Sequence, residues 1–152
     1  MSALLTTEFS GTIRRPIDTV SRQFGDVHHH STHHVHPDLT FTILSEQDEV
    51  CRFRQEVRLM GLKQADEIVQ TRLPDGSIDS EVVAGTNQGM RMLQTFRQEG
   101  PEATTVKIRI EVPVSGVKKW FKPLFKAAVD STLKKAFEED RVDLEQRGYP
   151  RG

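Results

Sequence analysis

Cysteine is almost missing from this chain: Cys51 stands alone among 152 residues. No intramolecular disulfide can form, and neither a cysteine-rich zinc site nor an iron–sulfur cluster can be built. Charge of one sign is missing too. The 21 basic and 22 acidic residues leave a formal net charge of −1, so no overall field gathers nucleic acid or an anionic membrane. No apolar run approaches the roughly 20 residues that span a bilayer. Met1 to Phe9 lacks the basic region and apolar core of a secretory signal. There is no glycine-rich phosphate loop, and Ser31 sits in no nucleophile motif. What is present is ordinary globular sequence, 36% hydrophobic and 28% charged. The expectation is one domain over residues 1–152, in the cytoplasm, with no nucleic-acid partner and no membrane insertion.

The apolar periodicity supplies the elements. Thr6 to Ile13 reads as a strand with Phe9, Gly11 and Ile13 on one face. Pro16 suits the first turn of a helix, and Ile17, Val20, Phe24 and Val27 follow at helical spacing. A histidine segment then forms a short helix or helical turn. Strands are expected over Leu39–Leu44, Val50–Met60, Lys63–Leu73, Ile78–Ala84, Met90–Gln98 and Thr105–Val114. In the third of the chain's strands Gln55 is a polar intruder on the apolar face of Cys51, Phe53, Val57 and Leu59. The last strand alternates most cleanly, with Val106, Ile108, Ile110, Val112 and Val114 against Lys107, Arg109 and Glu111. After Ser115-Gly116 the period becomes 3.6, and Val117 to about Arg147 reads as one long helix. Its apolar stripe runs from Trp120, Phe121, Leu124 and Phe125 through Ala128 and Val129 to Leu133, Ala136 and Phe137.

This order of strand, helix, short helix, six strands and long helix resembles the helix-grip fold of the START and Bet v 1-like superfamily, which includes the polyketide cyclases. The resemblance implies an α+β fold. In it a curved seven-stranded antiparallel sheet, two short helices and a long C-terminal helix enclose a cavity for a hydrophobic small molecule.

All six histidines fall between His28 and His36. Neutral imidazole is the commonest side-chain ligand for transition metals. His29 with His33, and His30 with His34, are four apart and share a helix face. Asp140 lies four residues beyond Ala136 and three beyond Phe137, which places a carboxylate beside the apolar stripe of the long helix. A charge there is costly unless paired or bound to a cation. Two histidines and Asp140 would make a facial triad with open positions, the usual ligand set of non-haem iron(II) oxygenases. Glu138 and Asp143 could serve a second ion. The competing readings are a solvated histidine loop, an Asp140 paired with Lys135 or Arg141, and an Asp26 that caps a helix.

The same segment resembles the iron site of Rieske-type ring-hydroxylating oxygenases. There a Gly-Asp pair, a histidine, a second histidine and a carboxylate from the final helix are matched by Gly25, Asp26, His29, His34 and Asp140. The resemblance implies His29, His34 and Asp140 as ligands, with His30 and His33 as substitutes. It also implies that Asp26 orients a ligand imidazole through its second ring nitrogen. The cofactor would be a divalent transition metal, iron or else zinc. Because one cysteine cannot supply a Rieske cluster, electrons would come from a separate donor or from the substrate, or the metal would do non-redox work such as activating water. The function expected is a metal-dependent, oxygenase-like enzyme; the alternative is a metal-free small-molecule or lipid-binding, cyclase-like protein.

Overall fold

A computed structural model describes residues 3–59, 62–114 and 122–150. The expected α+β architecture is present. In chain order the elements are β1 (Ala3–Ile13), α1 (Ile17–Phe24), α2 (Val27–His33), β2 (Leu39–Gln47), β3 (Val50–Leu59), β4 (Leu62–Arg72), β5 (Ile78–Gly85), β6 (Arg91–Gly100), β7 (Ala103–Val114) and α3 (Lys122–Glu145). The seven strands form one antiparallel sheet in the order β1-β7-β6-β5-β4-β3-β2. Strands β2 to β7 run as a meander. β1 then pairs with β7, so the first two strands of the chain are the two edges, and α1 and α2 carry the chain between them. Register shifts at Ile43/Ser45, Glu67/Ile68 and Gln98/Gly100 add the local bends by which a sheet curves.

The pleat of β7 explains the core. Thr104, Val106, Ile108, Ile110, Val112 and Val114 are all buried, each alternating with a more exposed neighbour. The five hydrophobic ones, Val106 to Val114, pack with Leu5, Ile13, Val20, Phe24, Leu133, Phe137 and Leu144 into one cluster. A smaller cluster of Val27, Phe53, Ile68 and Val82 lies toward the β2 side.

Two expectations change at the helices. The first helix stops at Phe24 instead of continuing to Val27, because Asp26 starts a new one: its Oδ1 accepts the His29 amide at 3.0 Å. A side chain at Gly25 would come 2.3 Å from Nη2 of Arg72 and 3.0 Å from Cδ1 of Ile78, so the Arg72 guanidinium would have to shift to admit one. In α3 the apolar stripe is buried only in its later part. Leu133, Phe137 and Leu144 are buried, whereas Leu124 is 70% exposed. Trp120 and Phe121 lie outside the described residues, as does the side chain of Phe125. No described helix is long and apolar enough to cross a membrane.

Candidate functional site

A cavity of about 230 Å³ is lined by residues of both apolar clusters. Phe24, Phe41, Phe53, Met90, Met92 and Phe137 supply much of its wall. Its ionisable lining residues, His30, His36 and Asp140, gather where the α2 segment meets α3. Gln55, the polar intruder of β3, also faces this cavity.

The polar corner is built by three local events. α2 presents His29 and His30 on adjacent positions of its inner side, and both are buried. The helix then ends at His34, whose backbone is left-handed with φ 49°. That reversal brings His36, also buried, back against α3. On α3, Asp140 and Asp143 are one turn apart and only 5% and 1% exposed. Two buried carboxylates on one face require partners, and the partners are histidines. His30 Nε2 lies 2.8 Å from Asp140 Oδ1, His36 Nε2 lies 3.4 Å from Asp140 Oδ2, and His29 Nε2 lies 2.7 Å from Asp143 Oδ2. Gln23 of α1, fully buried, joins the two sets: its Nε2 donates to Asp140 Oδ1 at 3.1 Å and to Asp143 Oδ2 at 3.0 Å.

The outward nitrogens of the cavity histidines are also committed. His30 Nδ1 donates to the backbone carbonyl of Asp26 at 2.8 Å, and His36 Nδ1 lies 2.9 Å from Glu139 Oε1. Tying Nδ1 to an oxygen fixes the ring and its tautomer, and turns Nε2 toward Asp140. Burial alone would lower the His36 ring, but Asp140 and Glu139 outweigh it and carry its pKa up to about 9. Burial would raise Asp140, yet His36 and His30 hold it well below the usual carboxylate range. His29 goes the other way, since desolvation pulls it below an ordinary imidazole despite Asp143.

His30, His36 and Asp140 each offer one donor atom, all within 4.8 Å of one another, and this group can hold a metal ion. Among the described residues it is the group that meets this test. Donors around one ion at ~2.0–2.2 Å stand roughly 3–3.5 Å apart, so the present spacing asks for small movements only.

The sequence-expected residues are distributed as follows. His30 and Asp140 meet at the cavity. His29 is directed to Asp143 instead of Asp140. His33 is half-buried with its ring stacked 4.4 Å from that of His29. His34 is exposed at the end of α2. The pairs at four-residue spacing therefore do not converge on Asp140. The carboxylate of Asp26 caps α2 and accepts the Tyr149 hydroxyl at 2.7 Å; it is the backbone carbonyl of Asp26 that orients an imidazole. His36 had no spacing signal, because five residues and a left-handed turn separate it from His30. Gln23 gave no signal either beyond a polar residue within an apolar helix face.

No family model and no curated protein matches the chain. Solved structures do. A Thermus thermophilus protein aligns with TM-score 0.79 at 13% identity, over 90% of this chain and 94% of that one. A START superfamily protein from Mycobacterium smegmatis aligns with TM-score 0.78 at 15% identity, over 93% and 97%. The Zhui aromatase/cyclase from a Streptomyces species aligns with TM-score 0.75 at 14% identity, over 96% and 99%. At these identities the likeness is one of fold: this chain has the helix-grip fold of START and Bet v 1-like proteins. The resemblance to Rieske-type oxygenases rests on the sequence motif alone.

Proposed function

We propose that the protein binds a hydrophobic small molecule in the 230 Å³ cavity and holds a polar group of that molecule against His30, His36 and Asp140. The observation that carries this reading is an apolar chamber with its ionisable groups gathered at one corner. A carboxylate that accepts and imidazoles that donate can grip an oxygen-bearing ligand from both sides, or move a proton on it. A structural neighbour named as an aromatase/cyclase fits this chemistry, since cyclisation requires positioned proton donors and acceptors.

The test is a fragment screen by ligand-observed NMR on the wild type and on Ala136→Trp, which fills the cavity from the α3 wall one helical turn before Asp140. Binding that is lost in the variant, with the melting temperature kept, is expected. Fragments that bind both proteins alike would show that the cavity is not the site.

A second reading is favoured by the anchoring of both Nδ1 atoms. In it His30 Nε2, His36 Nε2 and Asp140 hold a divalent transition metal, and Glu139 and the Asp26 carbonyl keep the rings in place. Iron would supply oxygenase-like chemistry with electrons from a separate donor; zinc would supply hydrolytic or lyase chemistry. Elemental analysis of untagged protein prepared without a nickel column decides between the readings. About one ion per chain, lost in His36→Ala and Asp140→Ala but kept in His34→Ala, supports the metal. Metal near zero in the wild type leaves the metal-free binding protein.

A further inference from the structure

The size and wall chemistry of the cavity restrict the ligand. Drug-sized molecules occupy pockets of roughly 300–1,000 Å³, whereas this cavity measures about 230 Å³. It is about one and a half times the ~150 Å³ that accepts benzene in an engineered apolar cavity. As bounded by the described residues, that volume is too small to enclose a sterol, a long acyl chain or a four-ring polyketide. One substituted ring or two fused rings fit.

The walls favour a flat ring. Phe41 lies edge-to-face with Phe53, with centroids 5.7 Å apart. The same Phe41 ring lies 6.2 Å from the His30 ring and 6.4 Å from the His36 ring. The aromatic wall therefore runs directly into the polar corner. A planar ligand packed on Phe41 has its rim beside the two imidazoles and Asp140. Across the sheet, the buried Ser80 and Gln94 also line the cavity. They lie on neighbouring strands of the inner face, where Ser80 pairs with Met92, two residues from Gln94. A second polar substituent on the ring would meet them there.

We infer that the ligand is a compact one- or two-ring aromatic bearing a hydroxyl or carbonyl at the His30/His36/Asp140 corner. This rests on the binding function proposed above and narrows it. An oxygen on the ring can add a hydrogen bond at this corner that the bare ring cannot make, so the site should favour the oxygen-bearing ring over the same ring without it.

The probes are 1-naphthol, naphthalene, oleic acid and progesterone, titrated calorimetrically against the full chain. The expected result is one-to-one binding of 1-naphthol, at least about tenfold weaker binding of naphthalene, and no binding of oleic acid or progesterone. His36→Gln, which keeps a neutral polar side chain, should bring 1-naphthol down toward naphthalene while leaving naphthalene unchanged. A melting curve on the variant separates lost folding from lost recognition, and Asp140→Asn provides the second test of the corner. Oleic acid or progesterone binding more tightly than 1-naphthol would overturn the compact class and leave the cavity-binding function standing. Equal binding of 1-naphthol and naphthalene would overturn the oxygen requirement. No binding of any probe, with fragments still captured in the screen above, would overturn the inference alone; failure of both would remove the binding function as well.

Discussion

Gly11 on β1 and Phe137 on α3 compete for one space: a Cβ on Gly11 would stand 2.5 Å from Cζ of Phe137. The missing side chain lets the long helix lie close against the edge strand, with the Phe137 ring also 5.1 Å from that of Phe9. Phe137 is 3% exposed and forms cavity wall, so it has little room to retreat. Gly11→Ala should therefore destabilise the fold by about 1–3 kcal/mol through overpacking. A urea denaturation midpoint measures it. An unchanged midpoint would mean that the ring yields freely.

Gln23 should be sensitive to chemistry as well as to shape. It donates to two buried carboxylates, and each such charged hydrogen bond contributes ~1.5–3 kcal/mol. Its own Oε1 is buried with no hydrogen-bond partner among the described residues, so the residue is not a cheap way to fill the space. Gln23→Met keeps the volume and loses both bonds; a loss of about 2–4 kcal/mol is expected. Gln23→Glu places a third carboxylate beside two and should be worse at neutral pH. That glutamate would have a raised pKa in the folded state. The added penalty should therefore be small below the unfolded value of ~4.3 and grow as pH rises through it. Denaturation of variant and wild type at pH 5 and pH 7 shows whether the gap widens.

Tyr149 is the only tyrosine, so tyrosinate absorbance reports on it alone. Burial, and next the Asp26 carboxylate that accepts its hydroxyl, push the phenol up. Its titration should begin above the ordinary range near 10. Asp26→Asn keeps an oxygen for the His29 amide but removes the charge, and should bring that titration down. Because the folded pKa is raised, the contact contributes fully below ~10 and is lost as pH rises beyond it. Asp26→Ala should also lose the helix cap, at about 1 kcal/mol. Neither variant should abolish ligand binding, since the backbone carbonyl holds His30.

Cys51 should be a poor nucleophile. Burial, with Glu46 beside it, pushes its thiol up to about 11. At pH 8 the thiolate fraction is then roughly 0.1%, against roughly a quarter for a free thiol of pKa ~8.5. Iodoacetamide should modify it on the order of a hundredfold more slowly than a small free thiol, and Glu46→Gln should speed the reaction. Alkylation at the free-thiol rate would show that the thiol is not shielded.

The sequence by itself determined the order of elements and the core. Alternation in Val106 to Val114 and the change of period after Gly116 are local signals, because a strand or helix face is set by residues two to four apart. A partnered role for Asp140 was also legible, since a carboxylate beside an apolar stripe demands partners, whereas His30 stood only among the substitutes for His29 and His34. Which histidine meets which carboxylate was decided only by tertiary structure. Any two of the six histidines satisfy some ligand spacing, and the choice between them depends on where α2 ends. The left-handed turn at His34 leaves that ring in solvent and sends His36 inward, while the separate cap at Asp26 sets the phase that points His29 at Asp143 and His30 at Asp140. These are contacts between residues about 100 positions apart. They depend on how α2 and α3 are held over the sheet, which no local pattern encodes.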